Sequence, residues 1–231
     1  MILSRRTQTN EPGRCAALLP LLAQLPEPLA LLEVGASAGL CLLPDRYGYD
    51  YAGKRVGPAE VVLKCSPYGG VPVPTRVPEV IWRAGIDLDP PDIDDADDIR
   101  WLEALIWPEE EDRLERFRAS LAIARRERLN MIGGDLLRDL EPLADQAPRE
   151  ATLVIFHSAV LSYLSPNERD RFASQVKSMD AEWISNEGDG VVETLPPGAP
   201  TPMAPSHFLM SRRGEVQAAC DPHGRWVQWL R

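Results

Sequence analysis

The stretch Leu29-Ala-Leu-Leu-Glu-Val-Gly-Ala-Ser-Ala-Gly-Leu40 sets one acid and two glycines between apolar runs. An uninterrupted apolar run is what a strand covered on both faces looks like. Gly35 and Gly39 permit a sharp turn and let backbone N–H groups approach a ligand closely. Glu33 then stands near the carboxyl end of a strand, where open α/β sheets bind their ligands. Later apolar runs finish in the same way. Residues 80–86 end in Asp87, 129–132 lead through two glycines to Asp135, and 151–156 end in His157-Ser158. A neutral imidazole at His157 could take a proton from an oxygen or nitrogen nucleophile near physiological pH. Asn186 and Glu187, after the run 181–185, join the same rim. They could orient His157, bind an acceptor, or be solvated loop residues.

Elements able to position these residues follow from periodicity and breakers. Asn10 or Thr9 can cap a helix over 11–25 with Leu18, Leu19, Leu22 and Leu25 as its apolar stripe. Pro26 and Pro28 end it before a first strand at 29–34, and Pro44 keeps the helix after Gly39 short. The runs 47–52 and 61–65 read as a hairpin inserted within 45–79, and a second strand covers 80–87. Helices over 94–106 and 109–127 precede a third strand at 129–132, a helix through 145 and a fourth strand at 151–156. Pro166 opens a helix through 179, and a fifth strand covers 181–185. Beyond a Gly/Pro-rich loop at 188–205, the runs 207–212, 215–219 and 226–230 are linked too closely for anything but antiparallel pairing. Strands alternating with helices, then an antiparallel ending, predict one α/β domain over 1–231 with a mainly parallel open sheet.

A chain of 231 residues with 44% hydrophobic and 26% charged content suits one soluble domain with a sizeable core. Its formal charge of -10 argues against a broad nucleic-acid footprint and against a polybasic membrane patch. Cys15, Cys41, Cys65 and Cys220 form no Cys-x-x-Cys pair, which fits reduced, buried thiols rather than a disulfide framework or zinc site. Met1-Ile-Leu-Ser-Arg-Arg lacks the apolar core of a signal peptide, and no run reaches membrane-spanning length, so the expected location is cytoplasmic.

The Glu-x-Gly-x-x-x-Gly pattern of residues 33–39 resembles the first motif of class I S-adenosylmethionine-dependent methyltransferases. Further blocks resemble an uncharacterised bacterial domain-of-unknown-function family related to those enzymes. These are Arg6-Thr-Gln-Thr-Asn-Glu11, Asp45-Arg-Tyr-Gly-Tyr-Asp-Tyr51 and Gly85-Ile-Asp-Leu-Asp-Pro90. Arg100-Trp-Leu-Glu-Ala-Leu-Ile-Trp-Pro108, Phe156-His-Ser-Ala-Val-Leu-Ser-Tyr163 and Asp221-Pro-His-Gly224 complete the set. The resemblance implies a Rossmann-like class I methyltransferase fold, S-adenosylmethionine as cofactor and a small-molecule acceptor. Gly35, Ser37 and Gly39 would then cradle the amino-acid portion of the cofactor, with Ser37 standing where the commoner Gly-x-Gly-x-Gly loop has glycine. Glu33 would orient the amino group through ordered water, Asp87 would bond the ribose hydroxyls, and Asp135 would meet the adenine amino group. A carboxylate suits the ribose because it accepts two hydroxyl donors at once. His157 would be the general base facing the acceptor. Longer members of the family carry an additional N-terminal helical region, so the chain reads as a fragment or a short member.

Each of these residues has a plainer role open to it. Asp89 competes with Asp87, Asp135 can cap the following helix, and His157 can be bonded at the sheet edge. Asp92, Asp94, Asp95, Asp97 and Asp98 lack the pattern of a calcium loop and suit a helix N-terminus. Thr7, Gln8, Thr9 and Asn10 could form a lid or a cap. Tyr47, Tyr49 and Tyr51 share one strand face and could wall a pocket or pack across strands. Trp101 and Trp107 are expected in the core and His223 in a turn. A Ser-His hydrolase is disfavoured, since adjacent strand residues face opposite ways and no Gly-x-Ser-x-Gly elbow occurs. Two functions follow: a methyltransferase acting on a small molecule, or a non-catalytic S-adenosylmethionine- or nucleotide-binding module.

Overall fold

Nine strands form one sheet within residues 7–230, the part of the chain that this computed structural model describes. Met1-Ile-Leu-Ser-Arg-Arg lies outside the described residues. The chain begins with α1 (Arg14–Leu22), β1 (Leu29–Val34), β2 (Gly48–Tyr51), β3 (Lys54–Val56), β4 (Val62–Lys64) and β5 (Ser66–Tyr68). It continues with β6 (Val80–Asp87), α2 (Ala96–Ala104), α3 (Glu111–Glu127), β7 (Asn130–Gly133), α4 (Leu140–Ala144) and β8 (Thr152–Ser158). It ends with α5 (Pro166–Ser178), β9 (Glu182–Gly188), β10 (Phe208–Arg212), β11 (Glu215–Cys220) and β12 (Trp226–Trp229).

The sheet order is β5-β12-β11-β10-β9-β8-β1-β6-β7. β7, β6, β1, β8 and β9 run parallel and, numbered among themselves along the chain, lie in the order 3-2-1-4-5. β10, β11 and β12 continue as an antiparallel meander, and β5 adds a parallel edge to β12. The mixed α/β architecture with a large, mostly parallel sheet matches the sequence expectation at that level. Among the described residues, no helix is long and apolar enough to cross a membrane.

Strand alternation divides the described interior into two main cores, with a smaller third cluster around Leu209, Val216 and Ala219. Leu29 and Leu31 of β1 pack with α1, α3 and the small sheet, whereas Leu32 and Val34 pack with α4 and α5. Glu33 shares the α1 face by the same alternation, while His157 of β8 shares the α5 face with Phe172 and Trp183. Side-chain parity therefore decides what each polar residue at a strand end can reach.

Local differences from the expected elements have physical causes. α1 starts at Arg14 behind Gly13 without a side-chain cap, because Asn10 spends its amide on Ser37 and Ala38 instead. Every residue of α1 is buried, so the expected stripe is a whole cylinder. The runs 47–52 and 61–65 do not form a hairpin with each other. β2 pairs antiparallel with β3 and parallel with β4, in a separate sheet of order β3-β2-β4. Ala52 and Gly53 both have positive φ (52° and 96°), the combination that a two-residue hairpin turn demands. β5 leaves that sheet for the far edge of the large one. The helix expected through 145 shrinks to α4, preceded by a turn in which Asp139 N–H reaches Asp135 O at 2.8 Å.

Tyr47, Tyr49 and Tyr51 are buried and give their hydroxyls to Leu40 O, Pro44 O and Ala16 O, so they pack rather than wall a pocket. Asp95 caps α2 by accepting from Asp97 N and Asp98 N, which places the acidic run at a helix start. Trp101 packs against the α1-side core, but Trp107 is 72% exposed, contrary to the expected core position.

Candidate functional site

A cavity of about 510 Å³ opens where the strand order reverses, outside the carboxyl ends of β1, β6 and β8. Crevices at such reversals are where open parallel sheets hold ligands. Ser37 and Asp87 meet at its floor: Ser37 N donates to Asp87 Oδ2 at 2.8 Å, and Asp89 N donates to Asp87 Oδ1 at 3.0 Å. Asp87 thus fastens the loop after β1 to the loop after β6. Each oxygen keeps a lone pair for a further donor.

Above this floor lies an irregular strap. Thr7, Gln8 and Thr9 line the cavity, and Gln8 ties the strap to its floor, giving Nε2 to Asp89 O at 2.8 Å while Oε1 takes the Ser37 hydroxyl. Asn10 donates to Ser37 Oγ at 3.0 Å and accepts from Ala38 N at 2.9 Å. Ser37 holds a left-handed φ of 49°, a conformation costly for a residue with a Cβ. The hydroxyl that distinguishes this loop from an all-glycine one is the strap's anchor.

Two buried ionisable groups, Arg14 in the cavity lining and Glu33 near it in charge range, lack a full set of partners among the described residues. Arg14 is buried and lines the cavity, with Nε donating to Pro222 O at 2.9 Å and Nη1 to Ser158 O at 3.1 Å. Among the described residues no carboxylate pairs with Arg14. Glu33 is equally buried, and its Oε2 has no hydrogen-bond partner among them. Burial pushes the Glu33 carboxyl well above the usual range, Cys41 adds to this, and the Arg14 charge opposes it.

The third wall is the loop after β8. Ala159 has φ 59°, also left-handed, and its N–H is held by Asn186 O at 3.1 Å. Glu187 Oε1 accepts from Val160 N at 2.9 Å, Leu161 N at 3.0 Å and His157 Nδ1 at 2.7 Å. Trp183 Nε1, which can only donate, reaches His157 Nε2 at 3.0 Å. His157 is therefore neutral with its proton on Nδ1, and both ring nitrogens are committed. The ring is fully buried on the α5 face and does not line the cavity. The general-base role expected for His157 is corrected accordingly: both its ring nitrogens are bonded within the fold, and it is not among the residues lining the cavity. It orients Glu187, which sets the loop.

Residues 1–229 match a family model described as an uncharacterized protein conserved in bacteria (DUF2332). The chain belongs to this family. No curated protein and no solved structure matches it. In this DUF2332 member, the structure brings Gly35, Ser37 and Asp87 together at the cavity, with Glu33 within electrostatic range of Asp87 and Arg14. It does not bring the others there. Gly39 serves packing instead, since a Cβ would lie 2.8 Å from Leu129 Cδ1 and 2.9 Å from Met131 Sδ. Asp135 accepts from Leu137 N at 2.8 Å as a turn cap, while its neighbours Gly134 and Leu136 line the cavity. Asp89 contributes backbone groups rather than its carboxylate. Asn186 and Glu187 are buried connectors and not solvated loop residues. Sequence reasoning passed over Arg14, whose signal was a lone charge opening an otherwise apolar helix.

Gly35 admits a direct test. Its φ is +68°, and a Cβ there would lie 2.3 Å from Val160 Cγ2, where the β8 loop closes on the β1 loop. Gly35→Ala is expected to lower stability by more than about 2 kcal/mol through conformational strain and overpacking together. Denaturant unfolding measures it, and pairing with Val160→Ala should recover part of the loss.

Proposed function

We propose that the chain is an S-adenosylmethionine-dependent methyltransferase of Rossmann-like class I fold acting on a small molecule. The observation that carries this reading is the pairing of two buried groups: Arg14, which lines the cavity and has no carboxylate partner among the described residues, and Glu33, within its electrostatic range, with an oxygen that has no partner among them. An amino-acid zwitterion offers a carboxylate to Arg14 and an ammonium to Glu33. Asp87 faces the cavity with an anionic acceptor suited to a ribose diol. Ile86, Leu88 and Leu136 supply an apolar slot for a purine. A dinucleotide or triphosphate would call for several cations, and among the described lining residues Arg14 stands alone, already holding two carbonyls. The 3-2-1-4-5 order followed by antiparallel strands supports the same assignment. The net charge of -10 supports a small acceptor over nucleic acid, and four buried free cysteines support a reducing, cytoplasmic setting.

The cofactor, when bound, supplies a methyl group on a sulfonium. The chain's own contribution is then to orient, through Arg14, Glu33 and Asp87, and to exclude water with the strap. Positioning of this kind is a large part of what catalysis needs. Enclosure of His157 favours one second reading, a non-catalytic S-adenosylmethionine- or nucleotide-binding module.

Ligand-induced stabilisation tests the proposal. At about 100 times its dissociation constant a native-state ligand adds roughly 2.7 kcal/mol, or about 5–10 °C in Tm for a chain of this length. S-adenosylmethionine and its demethylated product should produce such a rise, and ATP and NAD should not. A rise with NAD or ATP alone would favour a nucleotide module, and methyl release to an acceptor separates enzyme from module.

A further inference from the structure

We infer that the acceptor is an uncharged, planar aromatic small molecule and that Tyr163 selects it; this rests on the methyltransferase reading above. Tyr163 lines the cavity yet is 80% exposed, which puts its ring at the solvent-facing rim. It follows β8, on the side of the cavity opposite the purine slot formed after β6 and β7. The turn that presents it is locked from both directions. Glu187 takes the N–H groups of Val160 and Leu161, at 2.9 and 3.0 Å. Arg169 of α5 takes the carbonyls: Nε reaches Leu161 O at 2.8 Å and Leu164 O at 3.1 Å, and Nη2 reaches Ser162 O at 3.3 Å. An aromatic ring on so fixed a backbone loses little freedom when a second ring stacks on it.

The chemistry of the surroundings narrows the partner. Thr7, Thr9, Val160, Tyr163 and Leu164 line the cavity without carrying a charge, and Arg14, which reaches Ser158 O at 3.1 Å, is the one cation among the described lining residues. The charged lining groups, Arg14 and Asp87, are the ones assigned to the cofactor. With these two engaged, a charged acceptor finds no counter-charge of its own in the described lining, whereas a flat ring gains contact and stacking with Tyr163. The threonine hydroxyls can meet one heteroatom of such a ring.

Calorimetry on protein loaded with S-adenosylhomocysteine provides the test, with indole, indole-3-carboxylate and cyclohexanol as probes. Indole should bind, and the anionic and the non-planar probe should bind at least about tenfold more weakly. Tyr163→Ala should weaken indole by about tenfold, Tyr163→Phe should stay within about twofold, and both should keep their S-adenosylhomocysteine affinity. Because the side chain is largely exposed, neither variant threatens folding. Equal indole affinity in Tyr163→Ala, equal or tighter binding of indole-3-carboxylate, or absence of indole binding overturns the inference. A loss of S-adenosylhomocysteine affinity in Tyr163→Ala also overturns it, by giving the ring to the purine. Should the wild-type chain fail to bind S-adenosylhomocysteine, the methyltransferase reading falls by itself, and indole titration of the unliganded protein still reports on Tyr163.

Discussion

Glu187→Ala is expected to lower the unfolding free energy by about 3–5 kcal/mol, the cost of orphaning several buried donors at once. Its Oε1 serves His157 Nδ1, Val160 N and Leu161 N, and the residue is 1% exposed. The same change frees the loop that carries Ala159 and Tyr163, so ligand affinity should fall with stability. Glu187→Gln separates charge from shape. Burial pushes the Glu187 carboxyl up, but His157 and the two backbone N–H groups outweigh it and hold the group below the usual carboxylate value. A depressed folded value means that the stabilisation is complete above the unfolded value of about 4.3 and is lost as pH falls through the folded one. The gap between wild type and Glu187→Gln should therefore be widest at neutral pH and narrow below about pH 4. Guanidinium unfolding at the two pH values measures it, and a gap independent of pH would mean that Glu187 is not ionised in the fold.

Asp87→Ala is expected to weaken S-adenosylmethionine binding by about a hundredfold. Two hydrogen bonds to a charged acceptor are worth together about 3 kcal/mol, which is that factor. The carboxylate also ties Ser37 N to Asp89 N, so its removal loosens the β1 loop against the strap. Asp87 is only partly buried, and the protein should remain folded. Asp87→Asn keeps one acceptor oxygen and should lose about tenfold. Calorimetric titration of the three proteins gives both numbers.

How far the sequence foretold the structure depends on whether the deciding contact is local. β1 and β6 fall on the residues expected of them, 29–34 and 80–87, because burial on both faces leaves an uninterrupted apolar run between breakers. The start of α5 at Pro166 is likewise written locally, and the structure adds a capping box between Ser165 and Glu168. Asn10 is the opposite case. Its local environment suggests a cap, but its partners Ser37 and Ala38 are 27 and 28 residues away. His157 departs from its expected place for a related reason. A polar pair after an apolar run looks like a strand leaving the core, yet β8 continues through Ser158, since β9 brings Glu187 and Trp183 alongside to satisfy the ring. Strand parity then sends His157 to the α5 face and leaves the cavity to Ser158 and Ala159. At the site, the β1 glycine turn and Asp87 were legible. The proximity of Arg14 and Glu33 was not, because it arises only through the packing of α1 on the sheet.

The central claim is that the crevice above Gly35 and Asp87 holds S-adenosylmethionine. Isothermal titration of the folded wild-type chain with S-adenosylhomocysteine tests it most directly. The account predicts saturable one-to-one binding that Asp87→Ala and Arg14→Ala each weaken strongly. No binding by correctly folded protein, or binding that both substitutions leave unchanged, would contradict it.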